Sequence, residues 1–318
     1  SHRDSILFRT LDTANSDTLG TECDSGDLGN LTPTESHTSM AVVNGKVYLA
    51  YTGTSSDALN YVWYISSETT CSGGTNWNDI TTGSGLTTYD YPVLMDGYYT
   101  VTGPTTYPAL HMVYQDGNLS HSVYVDDGTP AWDVSNTTIS SGTSTLFSLT
   151  GDGSSGGQMF VIQANASGAD FYTFDSGTAN QTAWSTETDP FTSDTNVLGV
   201  SVAYDSTNDD VVASIIADAS EQAYHVGSDA STISWGDEYS FGFTAGDLSD
   251  GSMTPRAPNS GLAVSIRQGT NYEFATVPER VIALLLLALA LPLIIRRIKN
   301  KPVPVYARDY HFGPWGRG

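Results

Sequence analysis

Short runs in which apolar and polar residues alternate occur along most of the chain. This period-two pattern predicts β-strands with one buried face. Each clear run is preceded by a second one, and a turn joins the two. The pairs are 46–51 with 61–66, 109–114 with 120–125, 159–163 with 170–174, and 211–216 with 222–226. Short strands joined by tight turns predict antiparallel meanders.

The strand pairs belong to a repeat that is marked by tryptophan. A turn rich in small or acidic residues leads to Trp77, Trp132, Trp184 and Trp235, which are 55, 52 and 51 residues apart. Several strands within a period near fifty indicate a β-propeller blade. A fifth, partial unit covers 261–267 and 272–276, and the strand at 5–9 is expected to complete it. The sequence therefore predicts an all-β propeller of about five four-stranded blades, with six as the alternative.

The turns before two of these tryptophans resemble the Asp-box of sialidase-like (BNR-type) propellers. The nearest matches are the segments 72–77 and 127–132. The resemblance implies a folding element at the blade periphery, without chemistry of its own. A sialidase would also need three clustered arginines, and residues 1–278 contain four in all: Arg3, Arg9, Arg256 and Arg267. We therefore expect no sialidase activity.

The pattern changes near the C-terminus, where residues 281–295 are uninterruptedly apolar. Arginines flank this run, and a basic cluster follows it, which predicts one transmembrane helix with a cytoplasmic C-terminus. The expected membrane-anchor residues are Val281, Leu287, Ile295, Arg296 and Arg297. The expected domains are an extracytoplasmic propeller at 1–278, a single membrane helix at 279–298 and a basic, aromatic tail at 299–318. Membrane lipid is thus an expected partner.

The junction before this helix resembles the C-terminal Pro-Glu-Pro sorting signals of exported surface proteins. The segment 277–279 reads Val-Pro-Glu, and the apolar run ends at Arg296 and Arg297. Two features depart from that pattern: Arg280 stands where the second proline is expected, and about twenty residues follow the basic pair. The resemblance implies a surface location, and the departures put processing of the signal in doubt.

The net charge of the chain and its uneven distribution limit the classes of partner that it can bind. The formal net charge is −23, and 33 of the 35 acidic residues precede Glu279, with five of the 12 basic ones. A domain this acidic repels phosphate backbones, so we expect no nucleic-acid partner. The acid-rich loop at 205–210 suits calcium, although no full calcium-loop motif is present. No other cofactor and no metal site with characteristic ligand spacing is predicted. His121 and His225 hold equivalent repeat positions, which favours a packing role.

The two cysteines both lie in the predicted extracytoplasmic domain. Cys23 and Cys71 have no CxxC partner or histidine at ligand spacing. In an oxidising compartment the simplest arrangement is a disulfide between them.

The C-terminal tail supplies the main functional hypothesis. It carries aromatic side chains among prolines, glycines and arginines, which is the composition of interface anchors. The expected partner-binding residues are Tyr306, Tyr310, His311, Phe312 and Trp315. We therefore expect a non-catalytic, membrane-anchored accessory or structural subunit of a larger integral membrane complex or cell-surface assembly.

The sequence leaves two alternative functions open. The first is a membrane-tethered glycoside hydrolase or glycan-binding protein, because a hydrolase needs only two suitably placed carboxylates. Glu35 and Asp96 lie where loops should meet the propeller centre, but the sequence supports no catalytic assignment. The second alternative is a surface-layer or virion-spike protein.

Overall fold

The computed structural model describes a set of segments within residues 7–277. These are 7–9, 11–12, 18–19, 23–24, 38–52, 60–65, 77–86, 91–115, 117–155, 157–192, 194–206, 208–217, 221–228, 233–241, 248–255, 262–268 and 271–277. All structural statements below concern these segments. They belong to one unit of the chain, Ser1–Val277.

The described residues form β-strands, turns and irregular segments, and no helix occurs among them. The N-terminal strands are β1 (Leu7–Phe8), β2 (Leu11–Asp12), β3 (Thr18–Leu19) and β4 (Cys23–Asp24). Sheet 1 contains β5 (Thr38–Val43), β6 (Lys46–Thr52), β7 (Asn60–Ile65) and β8 (Trp77–Asp79). Sheet 2 contains β9 (Val93–Thr102), β10 (Thr105–Gln115), β11 (Leu119–Val125) and β12 (Ala131–Ser140).

The later strands form three further sheets. Sheet 3 contains β13 (Phe147–Gly151), β14 (Gln158–Asn165), β15 (Gly168–Asp175) and β16 (Ser185–Thr186). Sheet 4 contains β17 (Val197–Asp205), β18 (Asp210–Ala217), β19 (Glu221–Ser228), β20 (Ser234–Trp235) and β21 (Tyr239–Ser240). Sheet 5 contains β22 (Leu248–Pro255), β23 (Leu262–Gln268) and β24 (Asn271–Val277).

Each of the five sheets is an antiparallel meander in which neighbours in sequence pair with each other, except that β21 of sheet 4 pairs with β19. The first strands of consecutive sheets contact one another: β5 contacts β9, β9 contacts β13, β13 contacts β17 and β17 contacts β22. Successive meanders packed through their first strands are the arrangement of β-propeller blades. The predicted all-β class and the predicted strand pairs are confirmed, whereas the total blade number stays a prediction.

The N-terminal strand pairs differently from the sequence-based expectation. Leu7 and Phe8 pair with Asp24 and Cys23, so β1 joins β4 in a small two-stranded sheet. Sheet 5 has three described strands, and none of its described pairings involves the N-terminal strands. Closure of the ring by residues 5–9 is therefore not among the described pairings.

The hydrophobic core is divided among the interfaces between neighbouring sheets, which are called seams below. Between sheets 1 and 2 it contains the buried side chains of Tyr48, Leu110 and Met112. Between sheets 3 and 4 it contains Phe171 and Ile215, with ten other buried residues. Central strands such as β18 are buried along their whole length because the sheet is covered on both faces. Seams of this kind place side chains of one repeat against those of the next.

Candidate functional site

The residues that the sequence singled out for anchoring and partner binding lie outside the described segments. These are Val281, Leu287, Ile295, Arg296, Arg297, Tyr306, Tyr310, His311, Phe312 and Trp315. Cys71 and Glu35 also lie outside, so the disulfide and the role of Glu35 stay predictions. Asp96 lies on β9 with an exposed side chain. Within the described part of the chain, no helix has the length and apolar character needed for a membrane span.

A chain of hydrogen bonds crosses the seam between sheets 2 and 3. Trp184 Nε1 donates to His121 Nδ1 at 3.2 Å. His121 Nε2 and His111 Nδ1 are 3.2 Å apart. His111 Nε2 lies 3.0 Å from the carbonyl oxygen of Tyr98. Both imidazoles are fully buried, and Phe174 packs against both rings.

This geometry determines the tautomer of each histidine. Because the Trp184 indole can only donate, His121 Nδ1 must accept, and the ring proton is on Nε2. His121 then donates to His111 Nδ1, and His111 Nε2–H donates to the Tyr98 carbonyl oxygen. No ring nitrogen remains free for a further proton. Burial accordingly lowers the pKa of His111 to about 4. Burial, and then repulsion between the protonated forms of the two rings, lowers the pKa of His121 well below its usual value.

The repeat tryptophans tie each sheet to the preceding one. Trp132 Nε1 donates to the carbonyl oxygen of Ile80 at 2.7 Å. Trp235 Nε1 donates to the carbonyl oxygen of Thr188 at 2.7 Å. Trp184 reaches His121 instead of a main-chain oxygen. The tryptophan turns therefore act as seam contacts, which agrees with a structural role for this element.

The next seam, between sheets 3 and 4, contains a polar pocket of about 210 Å³. Six of its seven lining side chains are polar, and none is basic. The lining residues are Gln158, Thr173, Asp175, Gln181, Ser185, Glu187 and Ile233. Three neighbouring strands of sheet 3 supply Gln158, Thr173 and Ser185, and the residue before β20 supplies the apolar contact. Amide, hydroxyl and carboxylate groups beside one aliphatic side chain suit a ligand with many hydroxyl groups.

Glu187 is the acidic group of this pocket that has an oxygen available. Its main-chain N–H donates to the carbonyl oxygen of Phe171 at 3.0 Å, which ties its backbone to β15. Thr173 Oγ1 donates to Glu187 Oε1 at 2.7 Å. Among the described residues, Glu187 Oε2 has no hydrogen-bond partner. This oxygen can therefore accept a hydrogen bond from a ligand.

Asp175, the second carboxylate of the lining, is engaged in its own turn. Its Oδ1 accepts hydrogen bonds from the main-chain N–H groups of Gly177 and Thr178 at 2.9 and 3.2 Å. Its Oδ2 accepts one from Thr178 Oγ1 at 2.7 Å. The Asp175 side chain thus stabilises the loop that leads to Gln181.

The described residues contain no group of three or more His, Cys, Asp or Glu side chains that could hold a metal ion. In the acid-rich turn, Asn208 donates to Asp205 at 2.7 Å, and Tyr204 donates to Asp209 at 2.8 Å. Burial, together with Asp209 and other nearby carboxylates, raises the pKa of Tyr204 above its usual value. Calcium binding at 205–210 stays a prediction.

No sequence motif marks the pocket. Gln158, Thr173 and Glu187 come together only when β14, β15 and the segment after β16 lie side by side. The spacing from the repeat tryptophan gives no signal either, because the turn before Trp184 is two residues longer than the turn before Trp132, and equal spacing therefore does not give equal strand positions.

The comparisons with known proteins concern the architecture. No protein-family model and no curated protein matches the chain. Among solved structures, AofleA from Arthrobotrys oligospora is 12% identical, with a TM-score of 0.48 and coverage of 87% of each chain. A mutant of Aleuria aurantia lectin in complex with alpha-methyl-L-fucoside is 13% identical, with a TM-score of 0.43 and coverage of 79% of this chain and 81% of that one.

A third solved structure is alpha-L-arabinofuranosidase from Lactobacillus brevis, at 10% identity and a TM-score of 0.43, with coverage of 76% of this chain and 90% of that one. The Aleuria lectin is described as a six-bladed β-propeller with fucose recognition. At these identities and TM-scores, the similarity carries no argument about ligand, activity or blade number. The sialidase-type and sorting-signal resemblances stay predictions.

Proposed function

We propose that this chain is a membrane-anchored, non-catalytic glycan-binding protein that takes up an uncharged sugar between sheets 3 and 4. The observation that carries the proposal is the polar pocket lined by Glu187 and five other polar side chains. A sugar hydroxyl is both donor and acceptor, so it matches a lining that mixes carboxylate, amide and hydroxyl groups. Ile233 offers an aliphatic surface for the C–H face of the ring.

The carboxylates of the pocket favour binding over hydrolysis. Glycoside hydrolysis needs two carboxyl groups that both act on the scissile bond. Asp175 is held by three hydrogen bonds within its own turn, whereas Glu187 Oε2 has no hydrogen-bond partner among the described residues. One carboxylate that stabilises a loop and one that is able to bind a hydroxyl group favour binding over the two-carboxylate mechanism.

The charge of the lining favours uncharged sugars over acidic ones. Two carboxylates and no basic side chain surround the pocket. A sialic acid or a uronic acid would bring a third negative charge within a few ångströms, which raises the free energy of binding. We therefore expect neutral hexoses or pentoses to bind and their acidic counterparts to be rejected.

The accessory-subunit hypothesis rests on the tail around Tyr306 and Trp315, which lies outside the described residues, so it stays a prediction. The outward orientation and the membrane helix at 279–298 are likewise expectations from the sequence. They are compatible with a glycan-binding role, because an anchored outward domain meets surface carbohydrates.

The test is titration of the full-length protein, in detergent, with free monosaccharides. A hexose has about 12 non-hydrogen atoms, and at roughly 0.3 kcal/mol per atom its affinity is of the order of millimolar. Saturation-transfer NMR suits this range. We expect neutral sugars to bind, and glucuronic and sialic acids to bind at least tenfold more weakly.

Replacement of Glu187 by alanine should weaken binding of the neutral sugar by roughly tenfold to a hundredfold. The reason is that a hydrogen bond to a charged group contributes about 1.5–3 kcal/mol. Glu238→Ala is the matched control, because Glu238 also lies three residues after its repeat tryptophan, but it contacts His225 and not the pocket. Equal affinity of wild type and Glu187→Ala would contradict the proposed site.

A further inference from the structure

The polar pocket borders Thr173 on the third strand of sheet 3. The strand register gives its counterpart in sheet 2. Tyr124 pairs with Trp132, and Thr173 pairs with Ser185, the residue after Trp184, so Thr173 corresponds to Val123. His121 corresponds instead to Phe171, and each of these two rings packs edge-on against the tryptophan of the next repeat.

The side chain of Thr173 differs from its counterpart in polarity. Val123 is fully buried in an apolar cluster of the seam between sheets 2 and 3. In the next seam, Thr173 is half-buried and borders the polar pocket. Valine and threonine have nearly the same shape, so the hydroxyl of Thr173 distinguishes this position from its counterpart.

Thr173 also fixes the orientation of the ligand-facing carboxylate. Its hydroxyl has a single proton, which it donates to Glu187 Oε1 at 2.7 Å. This bond restricts the rotation of the Glu187 side chain, whose main chain is already tied to Phe171. An acceptor that is held in place binds more tightly, because less side-chain freedom is lost when the ligand arrives.

We propose that Thr173 is a specificity-determining residue of this pocket: its hydroxyl, which the corresponding Val123 lacks, positions Glu187 to bind a sugar ring. The inference rests on the proposed glycan-binding function and adds the residue that controls it. Thr173 is a positioning residue, because it acts on the ligand through Glu187.

Three substitutions at position 173 separate volume from hydrogen bonding. Thr173→Ser keeps the hydroxyl and should retain the wild-type affinity within about twofold. Thr173→Val keeps the shape and the β-branched side chain but loses the donor, and we expect roughly tenfold weaker binding. Thr173→His should abolish binding, because the larger side chain extends into the pocket that Thr173 lines.

A double-mutant cycle tests the action through Glu187. If Thr173 acts only by holding that carboxylate, Thr173→Val should have no further effect on affinity in the Glu187→Ala background. Thermal unfolding of every variant is measured in parallel, and Thr173→Val should unfold within a few degrees of wild type. A purely structural role would give additive losses of affinity and no rescue by serine.

The possible failures can be told apart. Sugar binding by wild type that is unchanged in Thr173→Val and Thr173→His would overturn the role of Thr173 and leave the proposed function standing. Absence of binding to any sugar in the wild-type protein would overturn the proposed function, and with it this assignment.

Discussion

At the scale of single residues, the buried histidines show how a polar network is satisfied inside a seam. His111 and His121 carry no charge, and each of their nitrogens has a defined role between the Trp184 indole and the Tyr98 carbonyl. An added proton would place two N–H groups face to face in a fully buried site. The sequence indicated a packing role for His121, and the structure shows this ring buried among aromatic side chains. The expected equivalence of His121 with His225 was wrong, because the strand register aligns His121 with Tyr224. The partner His111 was not indicated, because it lies on the neighbouring strand.

The depressed pKa values make stability dependent on pH. An imidazole whose pKa is about 4 when folded and 6.5 when unfolded stabilises the fold fully above pH 6.5. That contribution is lost as pH falls from about 6.5 towards 4, because the unfolded chain then binds more protons. For His111 the loss amounts to roughly 3 kcal/mol. Asp133 and Asp189 oppose this trend, since burial raises their pKa values, but both are partly exposed and their effect is smaller.

We therefore expect the free energy of unfolding, measured with urea, to be lower at pH 4.5 than at pH 7. His121→Gln should reduce this dependence, because a glutamine amide can accept from Trp184 and donate to His111 without titrating, and the contribution of His111 remains. His225→Gln is the control for the substitution itself, since His225 is less buried and lies outside the hydrogen-bond chain. Equal or greater stability at pH 4.5 would contradict the buried neutral pair.

At the scale of elements, the repeat tryptophans join consecutive sheets. The spacing of Trp132, Trp184 and Trp235 allowed the repeat and its strands to be predicted from the sequence. The period-two pattern is local, so the strands could be located in advance. The pocket could not, because it depends on which side chains of neighbouring strands and of the next sheet come together. Thr173 and Glu187 are fourteen positions apart in the chain, and Ile233 comes from another repeat.

Tryptophan-to-phenylalanine substitutions measure these seam contacts. Trp235→Phe removes one hydrogen bond to the Thr188 carbonyl oxygen, and we expect a loss of about 1 kcal/mol in the free energy of unfolding. Trp184→Phe should cost more, about 1–3 kcal/mol, because it leaves the buried His121 Nδ1 without its donor. Urea unfolding of both variants gives the comparison. A smaller loss for Trp184→Phe than for Trp235→Phe would contradict the hydrogen-bond chain.

At the scale of the whole molecule, one architecture provides seams with different contents. Between sheets 2 and 3 the seam is closed by imidazoles and an indole, whereas between sheets 3 and 4 it opens into a polar pocket. Sheets 1 and 2 are joined by an ion pair of Lys46 with Asp126 at 2.9 Å, which holds the pKa of that carboxyl below its usual value. The repeat supplies the frame, and the side chains that line each seam decide whether it is closed or opens into a pocket.

Photoaffinity labelling of the full-length protein with a diazirine derivative of its preferred neutral sugar tests directly whether the pocket between sheets 3 and 4 binds a sugar. Labelled peptides are then mapped by mass spectrometry, with and without an excess of the unlabelled sugar. We expect labels in the segments that contain Gln158, Thr173 and Glu187, their suppression by the unlabelled sugar, and their loss in Thr173→His. Suppressible labels confined to other segments, or the same labels in Thr173→His, would contradict a sugar site between sheets 3 and 4.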